Sequence, residues 1–142
     1  MKKSMFRLAM PLIVLTGLSF ESESAETYYS CTIEMAYRLT DGRLEEWTEL
    51  TGLFTDAQAS GFIVDRRTGA VRGHPNVIDS AEHDVNIVQA GNATQPFRAY
   101  WTTPASQGGS TLFFIEVMEQ ANGARKPFFL MTDAEKLTGT CQ

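Results

Sequence analysis

The chain has only two cysteines, two histidines and two tryptophans among its 142 residues, and its 12 Lys and Arg are outnumbered by 17 Asp and Glu. Each scarcity removes a class of function. A net charge of −5 argues against nucleic acid or anionic lipid as a partner, because both select for clustered basic residues. No His-Glu-x-x-His helix, Gly-x-Ser-x-Gly elbow or cofactor fingerprint occurs, so no cofactor is expected. After the first 20 residues no apolar run reaches the length of a membrane span, and no stable membrane anchor is expected.

The N-terminus supplies the first positive signal. Lys2, Lys3 and Arg7 precede the apolar stretch Leu8 to Leu18, which is interrupted by Pro11. That stretch is too short for a hydrocarbon core requiring about 20 residues, and it reads as a secretory signal peptide. Ser22 and Ser24 suit a cut after Ser24, and Gly17 and Ser19 suit an earlier cut after Ser19. Cys31 lies too far downstream for lipoprotein processing. The sequence thus predicts residues 1–24 as signal peptide and residues 25–142 as one domain with one core.

An exported chain meets an oxidising compartment, so Cys31 and Cys141 are expected to pair. Two buried thiols or an intermolecular bridge are the alternatives. Metal binding is the weakest, since His74 and His83 show no ligand spacing with either cysteine.

Two-residue alternation dominates the start of the expected domain. Tyr29, Cys31, Ile33, Met35, Tyr37 and Leu39 form one apolar row, with Ser30, Thr32, Glu34 and Arg38 on the other side. Only a strand separates alternate residues in this way. Asp41-Gly42 has the chemistry of a tight hairpin turn. It leads to an ambiguous segment, Leu44 to Leu50, that fits a strand or a helical turn. The stretch Gly61 to Gly73 reads as strand, turn, strand, with Asp65 accepting turn hydrogen bonds and Gly69 in a left-handed conformation. Further strands are expected at Val85 to Gln89, Phe97 to Thr102, Thr111 to Met118, Lys126 to Met131 and Leu137 to Cys141. Gly91-Asn92, Gln107-Gly108-Gly109 and Asn122-Gly123 mark the turns between them. Leu112 to Met118, apolar on both faces, is expected to be a central strand covered on each side. About eight short antiparallel strands in one domain, with their ends stapled by a disulfide, predict an all-β barrel or a curled β-sandwich.

The string Phe62 to His74, with Lys126-Pro127-Phe128-Phe129 and the ending Thr138-Gly139-Thr140-Cys141, resembles a group of small exported proteobacterial proteins of unknown function. The resemblance implies a Gram-negative, periplasmic setting and supplies no catalytic residues. Tyr29-Ser30-Cys31 is faintly similar to the start of periplasmic inhibitors of C-type lysozyme. Those inhibitors carry a Ser-Gly loop with a downstream tyrosine, whereas here Ser60-Gly61 runs on into Phe62-Ile63.

Candidate site residues are few. Arg66 and Arg67, with Asp65 and Arg72, could form an anion-binding tip. Phe97, Ala99 and Trp101 share one strand face, which leaves Arg98 and Tyr100 as an exposed pair of types enriched at binding hot spots. The loop from His74 to Asp84, with Asp79, Glu82 and His83, offers the alternative of a small hydrolase or lyase. A barrel pocket for an apolar small molecule is a third option. Glu116 and Glu119, at odd spacing on a strand, are not a carboxylate pair. The sequence therefore predicts a periplasmic, non-enzymatic domain that binds a protein or a cell-envelope component through a sheet face or loops.

Overall fold

The segment of alternating residues forms one 13-residue strand, β1 (Tyr28–Thr40). In the computed structural model, residues 27–54, 60–73, 79–80, 83–103 and 110–142 are described. The expected signal peptide and its cut sites, His74, Glu82 and the Gln107-Gly108-Gly109 turn lie outside them. After β1 come β2 (Arg43–Glu46), helix α1 (Thr48–Leu53), β3 (Gly61–Asp65), β4 (Val71–Arg72) and β5 (Asn86–Asn92). The chain then forms β6 (Gln95–Thr102), β7 (Leu112–Val117), β8 (Lys126–Met131) and β9 (Glu135–Cys141). Gly91-Asn92 thus ends a strand, and the turn falls on Ala93-Thr94.

All pairings are antiparallel and build one sheet in the order β4-β3-β1-β9-β8-β7-β6-β5, with β2 also on β1. The last five strands form a meander, and β9 then returns to β1. The sheet curls into a half-barrel. Tyr29 on β1 meets Phe97 on β6 edge to face, with ring centroids 5.5 Å apart. These strands stand four places apart in the sheet, so only a rolled sheet brings them together. The concave face holds the core: Ile33, Phe62, Val64, Phe97, Trp101, Ile115, Leu130 and Leu137 are buried there. Cys31 and Cys141 face each other across β1 and β9 and are joined by a disulfide. Closing a loop of 110 residues stabilises by up to about 4 to 5 kcal/mol in the chain-entropy model.

Two expectations need correction, and one left open is resolved. The apolar row of β1 is broken by a bulge between Ile33 and Met35. An extra residue reverses the facing of all later ones. Ala36 therefore turns inward and is fully buried, while Met35 and Tyr37 are only half-buried and Leu39 is exposed. The ambiguous segment divides: Leu44 is exposed on β2, while Trp47, just before α1, and Leu50, within it, pack on the core. There Trp47 N–H donates to the Ala36 carbonyl (2.8 Å) and Ala36 N–H to the Thr51 hydroxyl (3.1 Å), so this segment satisfies backbone that β2 leaves behind. Finally, β7 is covered on one face only. Ile115 and Val117 are buried, but Leu112 is exposed and Phe114 half-buried.

The turns follow their chemistry. Asp41 and Gly42 both have positive φ, 51° and 76°, as a tight hairpin requires. Between β3 and β4, Asp65 Oδ1 accepts from the backbone N–H groups of Arg67 (2.8 Å) and Thr68 (3.1 Å). Gly69 closes this turn at φ 76° and is buried against Val85, Ile87 and Ala99.

Candidate functional site

The bulge and the single-sided strands leave an aromatic and aliphatic stripe on the convex face. One row across the sheet runs Tyr37, Lys136, Met131, Phe114, Tyr100 over β1, β9, β8, β7 and β6. The next row is Met35, Thr138, Phe129, Glu116, Arg98 and Gln89. Cross-strand neighbours on one face pack against each other. Accordingly the Phe114 and Phe129 rings lie 6.0 Å apart, and Lys136 Nζ sits 5.3 Å from the Phe129 ring centre. Tyr100 is 36 % exposed, Met131 43 % and Leu112 46 %. Apolar side chains that cluster on a soluble surface, and are not scattered singly, mark an interaction site.

Arg98 and Tyr100 share this convex face, as the alternation of β6 predicts, while Phe97, Ala99 and Trp101 fill the core. Their roles differ. Arg98 Nε donates to Glu116 Oε2 at 2.6 Å and Nη1 to Gln89 Oε1 at 3.2 Å, so its guanidinium is held in place along the second row. Tyr100 projects from the first row beside Phe114.

The two arginines of the β3–β4 turn separate, which corrects the expected joint tip. Arg66 turns toward the other side of the roll. Its Nη2 lies 2.5 Å from Glu119 Oε1, and its guanidinium sits 5.0 Å from the Tyr29 ring centre. The Tyr29 hydroxyl donates to the same carboxylate oxygen. Burial pushes the Glu119 carboxyl above its ordinary value, with the Lys126 charge working against it. Arg66 and Tyr29 favour the charged form as well, so the cluster balances desolvation against pairing. Arg67 remains exposed and, with Arg72, Tyr28 and Ile63, lines an open groove of about 1260 Å³ at the start of β1.

No protein-family model, curated protein or solved structure matches the chain.

The His74 to Asp84 loop is described only in part. Ser80 is buried, and its hydroxyl accepts from Val71 N–H (2.7 Å) and donates to the Val71 carbonyl (3.2 Å). His83 N–H donates to the Ser80 carbonyl at 3.0 Å. These bonds fasten the loop to β4 and leave the Ser80 hydroxyl engaged with backbone. Among the described residues no group of three or more His, Cys, Asp or Glu could hold a metal ion, and no helix is long and apolar enough to cross a membrane.

Sequence reasoning missed Glu119, Phe114, Phe129 and Met131. The last three lay in plain sight, since Phe128-Phe129-Leu130-Met131 alternates, but nothing local says that the outer face stays uncovered. Glu119 follows β7 and meets Arg66 only because the sheet rolls.

Proposed function

We propose that this protein is a non-enzymatic binding domain of the periplasm, and that the convex stripe of Tyr37, Met131, Phe114 and Tyr100 receives a protein or another component of the cell envelope. The observation that carries this reading is the stripe itself. It places three aromatic rings and a methionine, types enriched at interfaces, side by side on the convex face, where all four keep surface in contact with solvent. The Arg98–Glu116 pair borders the stripe and supplies a polar rim. The periplasmic setting rests on the basic and apolar N-terminus, on the resemblance to small exported proteobacterial proteins and on a disulfide, which persists in oxidising compartments.

The test compares wild type with Tyr100→Asp and Met131→Lys, both changes at exposed positions that spare the core. Wild-type protein, cross-linked in periplasmic extract, should capture a stoichiometric partner that both folded variants lose. Capture that survives both variants would move the binding surface elsewhere. Mass spectrometry of protein from the native host should also find a new N-terminus near Ala25; an intact Met1 would refute export.

A further inference from the structure

We propose that the protein forms a two-fold dimer by antiparallel pairing of β5 with β5 of a second copy. A sheet edge exposes unpaired N–H and C=O groups, and folded proteins protect such edges with charge, proline, bulges or shortness. The exposed edges of this sheet differ in that respect. β2 is four residues long and three of them, Arg43, Glu45 and Glu46, are charged. β4 has two residues, and Arg72 is already bridged to Asp79. β5 has seven residues, Asn86-Ile87-Val88-Gln89-Ala90-Gly91-Asn92, with no charge and no proline, in a chain that is 20 % charged. Its only named neighbour is β6, and among the described residues none hydrogen-bonds to its other side. Among the described residues its one protective device is the bulge between Ile87 and Gln89, where Val88 is 61 % exposed.

The lack of charge points to a second copy as the occupant. Across a two-fold axis the strand pairs with its own sequence run in reverse, so a charge at the axis meets its own sign and any other charge needs its opposite at the mirrored position; only an uncharged strand escapes like-charge contact in every register. β5 meets that requirement. With the axis near Gln89, the asparagines at its two ends face each other and Val88 lies near Ala90 of the other chain. The nearest guanidinium, Arg98, is already occupied by Glu116 and Gln89. Pairing would join two half-barrels into one continuous sheet and leave both convex stripes open, so this inference does not depend on the function proposed above.

Sedimentation velocity over a concentration series tests it, using protein purified with its disulfide formed. Wild type should pass from monomer to dimer, and Val88→Lys, at an exposed position, should remain monomeric, with an unchanged thermal melt at dilutions where wild type is monomeric too. Ala90→Lys serves as a second variant. Amide exchange should slow at Val88 to Asn92 as the dimer fills, and there more than on the convex face. Wild type that stays monomeric up to about 1 mM would overturn the proposal. A dimer that persists in both lysine variants, or protection confined to β7 and β8, would overturn it equally.

Discussion

Arg66 and Glu119, 53 positions apart in the chain, meet at 2.5 Å, and through Tyr29 they tie the β3–β4 turn to the segment after β7. Both side chains are largely removed from water, which places the pair between exposed ion pairs and fully buried ones. Glu119→Ala should remove the carboxylate that Arg66 and the Tyr29 hydroxyl share, at a cost of about 1 to 3 kcal/mol. In denaturant melts, Arg66→Ala on the Glu119→Ala background should cost much less than on wild type. Additive losses would show that the clasp contributes nothing as a unit.

Two glycines are expected to resist substitution for different reasons. Gly139 lies on β9 beside the bulge, where a Cβ would collide with the Thr32 carbonyl oxygen and come within 2.9 Å of the Phe128 ring. Because the obstacle is backbone, Gly139→Ala should destabilise by about 2 kcal/mol or more. At Gly69 the barrier is both conformational, at φ 76°, and steric, because a Cβ would stand 2.7 Å from Val85 Cγ1. Gly69→Val should cost roughly 1 to 3 kcal/mol. Thermal melts that match wild type would overturn the bulge geometry in the first case and the hairpin in the second.

Asp65 supplies a pH-dependent prediction. Burial raises its carboxyl, but hydrogen bonds from the Arg67 and Thr68 backbone and the Thr68 hydroxyl, with the Arg67 charge, bring it below its ordinary value of 3.8. A lowered carboxyl stabilises the fold above its unfolded value and loses that contribution as pH falls through the folded value. The gap in melting temperature between wild type and Asp65→Ala should therefore be constant near neutrality and narrow below about pH 4. A gap that widens on acidification would contradict the turn geometry.

Much of this architecture was legible in local chemistry. The alternation of β1 up to Ile33, the Asp41-Gly42 turn, the Asp65 to Gly69 hairpin and the inward row of Phe97, Ala99 and Trp101 all depend on near neighbours. The features that escaped are long-range. The bulge after Ile33 sits against Gly139, more than 100 residues away, so Met35 and Tyr37 read as core when they face outward. Likewise Arg66 looks like a solvated turn residue until the sheet curls and brings Glu119 to it. The convex stripe hides for a third reason: a strand apolar on both faces signals burial on both, and the sequence does not state that no second layer covers it among the described residues.

The disulfide also changes what kind of object the chain is. Ser30 and Gln142 exchange two backbone hydrogen bonds, at 2.8 and 2.9 Å, immediately beside the Cys31–Cys141 bond. From residue 31 to residue 141 the backbone is therefore a covalent ring with its entry and exit side by side. One proteolytic cut in any connecting loop opens the ring without releasing a fragment, and two cuts are needed before a piece can leave. For the same reason Ser30 and Gln142 could be joined by a short bridge and the chain opened in one of those loops, with every strand keeping its neighbours.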